Sequence, residues 1–313
     1  MESWKQDTDC CSWDGVMCDN TSGDLIGLDL SCSCLNGTIP SKSFRFHLPH
    51  LQHLNLAYNY FNHSPISFGF GQFSRLRYLN LSYSMFSGQV PHELSHQSHW
   101  TSLAMEMHSP HWIYDPIILV VRFYQNFTGA IPMWLGNLTR VKEILFGNNS
   151  FTVQIPSSLS YLKDLNFLGL KENNIGGKIL NFLTNLTKLT SFFLSNNQLS
   201  SFGEFQFSNS LEVLALSNNK LYGSIPKSLS NLAKLTYLDI SSNDLTGMVD
   251  IDMFKKLKKL ETLDLNANLL HGKVPVLPSS MQNFLISNDR LSGEIPSMSC
   301  NITFLTSDEF ADE

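Results

Sequence analysis

Leucine and its apolar substitutes recur along the chain in one arrangement. From Leu211 the order is Leu211, Leu214, Leu216, Asn219, Leu221, Gly223, Ile225 and Pro226. From Leu235 it is Leu235, Leu238, Ile240, Asn243, Leu245, Gly247 and Val249. Both reduce to LxxLxLxxNxLxGxIP. Units of this form begin at Leu25, Leu51, Leu76, Val141, Leu165, Leu189, Leu211, Leu235, Leu260 and Met281. Within the two uninterrupted runs they stand 21 to 26 residues apart. The alternation in LxxLxL predicts a short strand with its leucines facing inward. Self-similarity at a fixed period predicts units that bury a shared core by stacking on their neighbours.

Two weaker units fill the gap between 76 and 141. One is framed at Trp100, with Leu103 and Met105 in the apolar slots. The other is framed at Ile117, with Val120, Phe127, Gly129, Ile131 and Pro132 in place. In the second, Arg122 stands where an inward leucine belongs and Gln125 where the asparagine belongs. Segment 97–124 therefore reads as a degenerate repeat, with a loop-out as the alternative. The recurring asparagine (Asn59, Asn149, Asn173, Asn197, Asn219, Asn243 and Asn268) sits where the chain turns off the strand, and Asp289 replaces it in the last clear unit. Its side chain can pair backbone groups that would otherwise be buried without partners. The glycine admits a backbone conformation that side chains resist, and Ile-Pro or Val-Pro fixes an extended turn.

The spacing is that of leucine-rich repeats. It predicts an α/β-type leucine-rich-repeat solenoid of about twelve units. The expected form is a curved right-handed superhelix with one concave parallel β-sheet, and loop with short 3-10 segments on the convex side.

Charge narrows the partners. The 21 Lys and Arg against 27 Asp and Glu leave a net charge of −6, read with no basic run. That argues against nucleic acid, whose phosphates call for clustered cations. The amino terminus, Met1-Glu2-Ser3-Trp4-Lys5-Gln6-Asp7, is polar and reads as no secretory signal. The longest apolar stretch, Ile117 to Val121, is too short to span a bilayer.

The GxIP endings resemble the plant-specific subclass of leucine-rich repeats. Asp9-Cys10-Cys11-Ser12-Trp13-Asp14-Gly15-Val16-Met17-Cys18-Asp19 resembles the plant amino-terminal cap. Leu28-Asp29-Leu30-Ser31-Cys32-Ser33-Cys34-Leu35 resembles the first repeat of plant receptor-like proteins. In that family a leucine-rich ectodomain joins one membrane span and a short cytoplasmic tail, and members sense pathogen molecules or act in development. The resemblance implies a cap over 1–24, a solenoid over 25–296, and a truncated repeat with tail over 297–313. It implies a cap disulfide between Cys11 and Cys18, and a place on the extracellular face of the plasma membrane. The pairing of Cys10, Cys32, Cys34 and Cys300 stays open. The family's signal peptide, later repeats, end cap and span are not matched, so the chain reads as an ectodomain fragment. On that reading the unit from Met281 is covered only by Leu305 and Phe310 of the partial unit that follows, and the chain is expected to fray from about residue 281 onward.

Nine N-x-Ser/Thr sequons begin at Asn20, Asn36, Asn62, Asn80, Asn126, Asn137, Asn148, Asn185 and Asn301, which favours a secretory history. His92-Glu93-Leu94-Ser95-His96 fits the HExxH zinc-protease pattern. It follows Val90-Pro91 in the convex segment, where a two-turn helix is not expected, so zinc catalysis is set aside. No cofactor, metal or catalytic set is expected.

Function in such stacks resides on the concave strands, at the variable positions of LxxLxLxxN. The ligand-binding candidates are His53, Tyr58, Arg77, Tyr78, Tyr83, Phe167, Lys171, Glu172, Phe193 and Tyr237. Aromatic residues and arginine anchor interfaces. Gln52, Asn55, Lys142, Glu143, Asn166, Asp239, Glu261 and Asp264 share that face. The expected function is ligand recognition: a peptide, glycan or protein elicitor bound on the concave face, with a membrane co-receptor as further partner. Two alternatives fit the same repeats, a secreted inhibitor of a cell-wall-degrading enzyme and a non-functional truncated paralogue.

Overall fold

In the computed structural model the LxxLxL slots form three-residue strands. The structure describes residues 3–39, 48–96, 102–104, 126–179, 184–203, 209–250, 252–287, 289–292 and 303–305. The chain divides into two compact units, 1–152 and 153–313.

The first unit opens on a 3-10 turn, Cys10–Ser12, and a strand, Val16–Cys18, that runs antiparallel to Leu25–Asp29. Trp4 stacks on Trp13 at 5.0 Å between ring centroids. Parallel strands follow at His53–Asn55, Tyr78–Asn80, Ser102–Ala104 and Glu143–Leu145, each beside the one before. Register is strict: Leu28, Leu54, Leu79, Leu103 and Ile144 form one column. The pairing of Leu103 with Ile144 displaces the repeat framed at Ile117. Ser102–Ala104 and Glu143–Leu145 are direct neighbours, so no strand framed at Ile117 lies between them. Residues 105–125 lie outside the described residues. The GxIP ending read into the Ile117 unit belongs instead to the Trp100 unit: Asn126–Ala130 pairs with Ser87–Gly88 on one side and Ser150–Thr152 on the other.

The second unit repeats the plan at Phe167–Gly169, Ser191–Phe193, Val213–Ala215, Tyr237–Asp239, Thr262–Asp264, Asn283–Leu285 and Thr303–Leu305. The last strand falls in the segment expected to hold a truncated repeat. Thr303–Leu305 pairs with Asn283–Leu285, so the unit from Met281 is flanked on both sides. Met281, Phe284 and Ile286 are all buried.

The first repeat's Leu25, Leu28, Leu30 and Leu35 are half-buried, whereas from Leu51 to Leu265 the strand leucines of the described repeats are close to fully buried, and each such side chain contributes about 1.5–3 kcal/mol. The slot two residues past the ladder position holds Leu35 in the first repeat and then phenylalanine through the rest of the first unit, where Phe61 stacks on Phe86 at 4.7 Å. In the second it holds Ile175, Leu199, Leu221, Leu245 and Leu270. Prolines 132, 156 and 226 precede the five-residue 3-10 turns Met133–Asn137, Ser157–Tyr161 and Lys227–Asn231, with φ of −63°, −71° and −68°. These turns bury Leu135, Leu159 and Leu229 opposite the strands.

Shorter ladders run beside the LxxLxL strands. The NxLxG stretches run extended and pair with their counterparts. They form short additional parallel sheets, such as Tyr222–Gly223, Asp244–Met248, Leu269–Lys273 and Arg290–Ser292. Gly247 within one of them has φ of 91°, and a Cβ there would meet the Ser224 Cβ at 3.3 Å.

Candidate functional site

The strands expose a row of side chains only because the turn that ends each strand is pinned from within. Asn243 shows how. Its Oδ1 accepts the Leu221 N–H at 3.0 Å, and its Nδ2 donates to the carbonyls of Leu216, Ile240 and Ser241 at 2.9–3.1 Å. Asn59, Asn197, Asn219 and Asn268 bond in the same way. Asn149 accepts the Phe127 N–H and donates within its own turn. Asn173 donates to Leu170 and Lys171. One member escaped the sequence search. Ser84 occupies the ladder slot between Asn59 and the Trp100 unit, fully buried, and its hydroxyl donates to the Leu56 carbonyl. The slot spacing from Leu76 was signal enough to find it.

The residue before each ladder position takes left-handed backbone. Its N–H then reaches the next rung's carbonyl, as Asn218 does to Ser241 at 3.0 Å. Asn148, Asn196 and Asn218 enter that region cheaply. Tyr58 and Tyr83, at φ of 58° and 60°, are bulky residues held there at a cost.

In the first unit these two tyrosines stack at 3.9 Å with 17° between their planes. Burial raises the Tyr83 hydroxyl well above the ordinary phenol range. His53 and Tyr78 lie in register on adjacent strands, with ring centroids 6.1 Å apart. Partial burial, and beyond it the Arg77 guanidinium, lower the His53 pKa and favour the neutral ring. Burial raises Tyr78 and also Glu143. The patch is thus mostly aromatic surface, with the exposed cations Arg77 and Lys142 beside it.

In the second unit Phe167 and Phe193 stack at 5.2 Å, half-buried on the outward side of the sheet. Tyr237 lies two strands beyond Phe193's strand, its hydroxyl pKa raised by burial and then by Asp239 and Asp264. Lys171 and Glu172 lie past the end of the Phe167 strand, where Glu172 takes the left-handed turn position. Asp239 and Asp264 stand in direct register across neighbouring strands. The sequence placed both on this face but gave no sign that they would be adjacent.

Cys11 and Cys18 are joined by a disulfide, with Cα atoms 5.7 Å apart. Cys10, Cys32 and Cys34 are exposed free thiols, and Cys300 lies outside the described residues. Among the described residues one trio of potential metal ligands lies together, Asp9, Cys10 and Cys11. The disulfide consumes the Cys11 sulfur. Of the sequons, Asn20, Asn36, Asn62, Asn137 and Asn185 are exposed. Two are corrected. Asn80 is 2% exposed and accepts the Ser82 N–H, and the Asn148 Nδ2, the atom a glycan would occupy, is enclosed. Neither has room for a sugar in the folded chain. The Asn126 side chain and Asn301 lie outside what the structure describes. His92–His96 is a single 3-10 turn, on which positions i and i+4 fall on different faces. A basic run does exist, against the sequence reading: Lys255, Lys256, Lys258 and Lys259 are all exposed at and just past the 3-10 turn Phe254–Lys256.

Residues 1–19 match the leucine rich repeat N-terminal domain, residues 187–245 the leucine rich repeat family, and residues 50–71, 75–97 and 234–257 single leucine rich repeats. Receptor-like protein 6 of Arabidopsis thaliana is 38% identical over 196 residues, which cover 63% of this chain and 19% of that protein. Receptor-like protein Cf-9 of Solanum pimpinellifolium is 34% identical over 195 residues, covering 62% and 21%. The crystal structure of the ectodomain of the Arabidopsis thaliana receptor kinase GASSHO1/SCHENGEN3, in complex with Casparian strip integrity factor 2, matches with a TM-score of 0.79. Its identity is 30%, over 95% of this chain and 34% of that one. The chain spans about one fifth of the length of the curated relatives it matches.

Proposed function

Because the chain is built of plant leucine-rich repeats and is similar to plant receptor-like proteins, we propose that it is ligand-recognition surface from an extracellular ectodomain. The observation that carries this reading is the outward side of the strands. Aromatic side chains stack on one another there, at Phe167 with Phe193, and at the turns that end the strands, Tyr58 with Tyr83. The leucine columns beneath are already buried without them. Half-exposed aromatic anchors outside a completed core are what interfaces use.

The ligand is a peptide, glycan or protein, and a membrane co-receptor shares the complex at the outer face of the plasma membrane. Support comes from the relatives' receptor-like names and from the complex of the matching ectodomain with Casparian strip integrity factor 2. No helix among the described residues is long and apolar enough to cross a membrane. Recognition and not catalysis is the reading proposed: among the described residues the perturbed acids Glu143, Asp264 and Asp289 lie on strand faces and in the ladder.

The test is a binding screen of the full chain against peptide and oligosaccharide arrays, repeated with alanine at Tyr78, Phe167, Phe193 and Tyr237. Binding lost in those variants, and kept in Met133→Ala and Tyr161→Ala opposite the strands, is the expected result. A ligand indifferent to all four face positions would refute the reading.

A further inference from the structure

We propose that the sheet face of the second unit selects a peptide carrying an apolar side chain and a cation together, the first against Phe167 and Phe193, the second on Asp239 and Asp264. This rests on the recognition reading above and names the ligand class for it. Strict register places Gly169, Phe193, Ala215, Asp239 and Asp264 in one outward column. Phe193 is therefore flanked by a hydrogen on one side and a methyl on the other. The stacked rings form the floor of a shallow apolar dish, with nothing large in that column standing over it. At about 4.8 Å per strand, Asp239 and Asp264 lie roughly 10–14 Å along the column from Phe193. That is the reach of three or four extended residues.

The two carboxylates point to a missing cation. Like charges in register on adjacent strands oppose each other. The Asp239 Oδ1 accepts the Ser241 N–H at 3.1 Å and its hydroxyl at 2.7 Å, and the Asp264 Oδ1 accepts the Asn266 N–H at 3.0 Å. The second oxygen of each is left over, and no cation pairs with either among the described residues. An ammonium or guanidinium bridging those oxygens relieves the repulsion and forms a charge-assisted bond. The Tyr237 ring on the adjacent column adds an aromatic face suited to a cation. Burial, and then Asp239, push the Asp264 carboxyl up to about 6. The groups facing it are Tyr237 and Asp239 from the preceding strand, Glu261 on its own rung and Asp289 beyond. Asn283 and Leu285 on the following strand carry no charge. Nothing basic offsets the acids, so cation binding weakens as pH falls through about 6.

Phage-displayed random heptapeptides panned on the full chain at pH 7.5 test the proposal. Enriched peptides are expected to carry Lys or Arg three or four positions from a large apolar residue. Asp239→Asn with Asp264→Asn should weaken them about tenfold or more, the size of one charge-assisted contact. Phe193→Ser and a shift to pH 5 should weaken them comparably. The double variant should melt no lower than the parent, since it removes a repulsion. Enriched peptides without a cation, or indifferent to the double variant, overturn this inference. If such peptides still depend on Phe193 or Tyr78, the recognition reading survives. If none depends on any face position, or none is enriched, both fail.

Discussion

Replacing Asp289 by asparagine is expected to stabilise the end of the second unit at neutral pH and to leave it unchanged in acid. Seven ladder positions direct a carboxamide Nδ2 at backbone carbonyls, as Asn268 does at Ile240, Leu265 and Asn266. Asp289 keeps the acceptor half of that arrangement, taking the Leu270 N–H at 3.0 Å. Its Oδ2 occupies the place of the donor, enclosed and without a partner. Burial accordingly raises its pKa from 3.8 to about 6, since only the protonated acid can donate as asparagine does. Below 3.8 the group is protonated in both folded and unfolded chains. Between 3.8 and about 6 the unfolded chain ionises first, so folding loses stability as pH rises, and above about 6 the loss is complete. The interval corresponds to about 3 kcal/mol for a fully enclosed group. Asp289 is half-buried, so solvent screening lowers this to about 1–2 kcal/mol. Asp289→Asn should recover that amount at pH 7.5 and none at pH 3.5. Hydrogen exchange of the Leu270 and Asn283–Leu285 amides, compared between the two chains across this range, measures it. Equal protection at every pH, or a gain from the substitution that persists at pH 3.5, would refute the reasoning.

Asn219→Ala, which leaves the Leu199 N–H without its acceptor and takes one of two amide donors from the Leu194 carbonyl, should cost about 1–3 kcal/mol in denaturant unfolding. Asn219→Asp should be worse at pH 7.5 than at pH 5, reproducing Asp289 at an interior rung. Reducing the Cys11–Cys18 bond, which closes a loop of sequence separation 7, should loosen the cap by about 2–3 kcal/mol; proteolysis near Gly23 under reducing and oxidising conditions reports it. In protein secreted from a glycosylating host, peptide mass spectrometry should find glycans among Asn20, Asn36, Asn62, Asn137 and Asn185, and none at Asn80 or Asn148. A modified Asn148 would mean that its turn opens before the chain folds.

The strand slots, the leucine columns and the pinned turns were legible in the sequence because each repeat contacts only its neighbours. A local pattern then carries the same meaning at every rung. Where a slot changed residue type, the reading slipped. Ser84 hid in the ladder because a hydroxyl can do part of an asparagine's work. The Ile117 frame attracted a repeat because its Phe127, Gly129, Ile131 and Pro132 belong to the ending of the unit before it. Exposed sites were less legible. A sequon states that Asn80 and Asn148 can be modified, but burial decides whether the nitrogen is reachable.

By itself the sequence determined the strand-and-turn unit, its period, the inward column and the set of residues facing outward. All of these follow from a pattern only a few residues long. Only the tertiary structure decided which outward residues meet. Asp239 and Asp264 are 25 residues apart in the chain, and their adjacency depends on the number of residues each intervening turn absorbs. Phe167 and Phe193 stack across a diagonal for the same reason. The energies that give those pairs meaning, desolvation of a carboxylate and stacking of rings, come from neighbours that the stacking supplies.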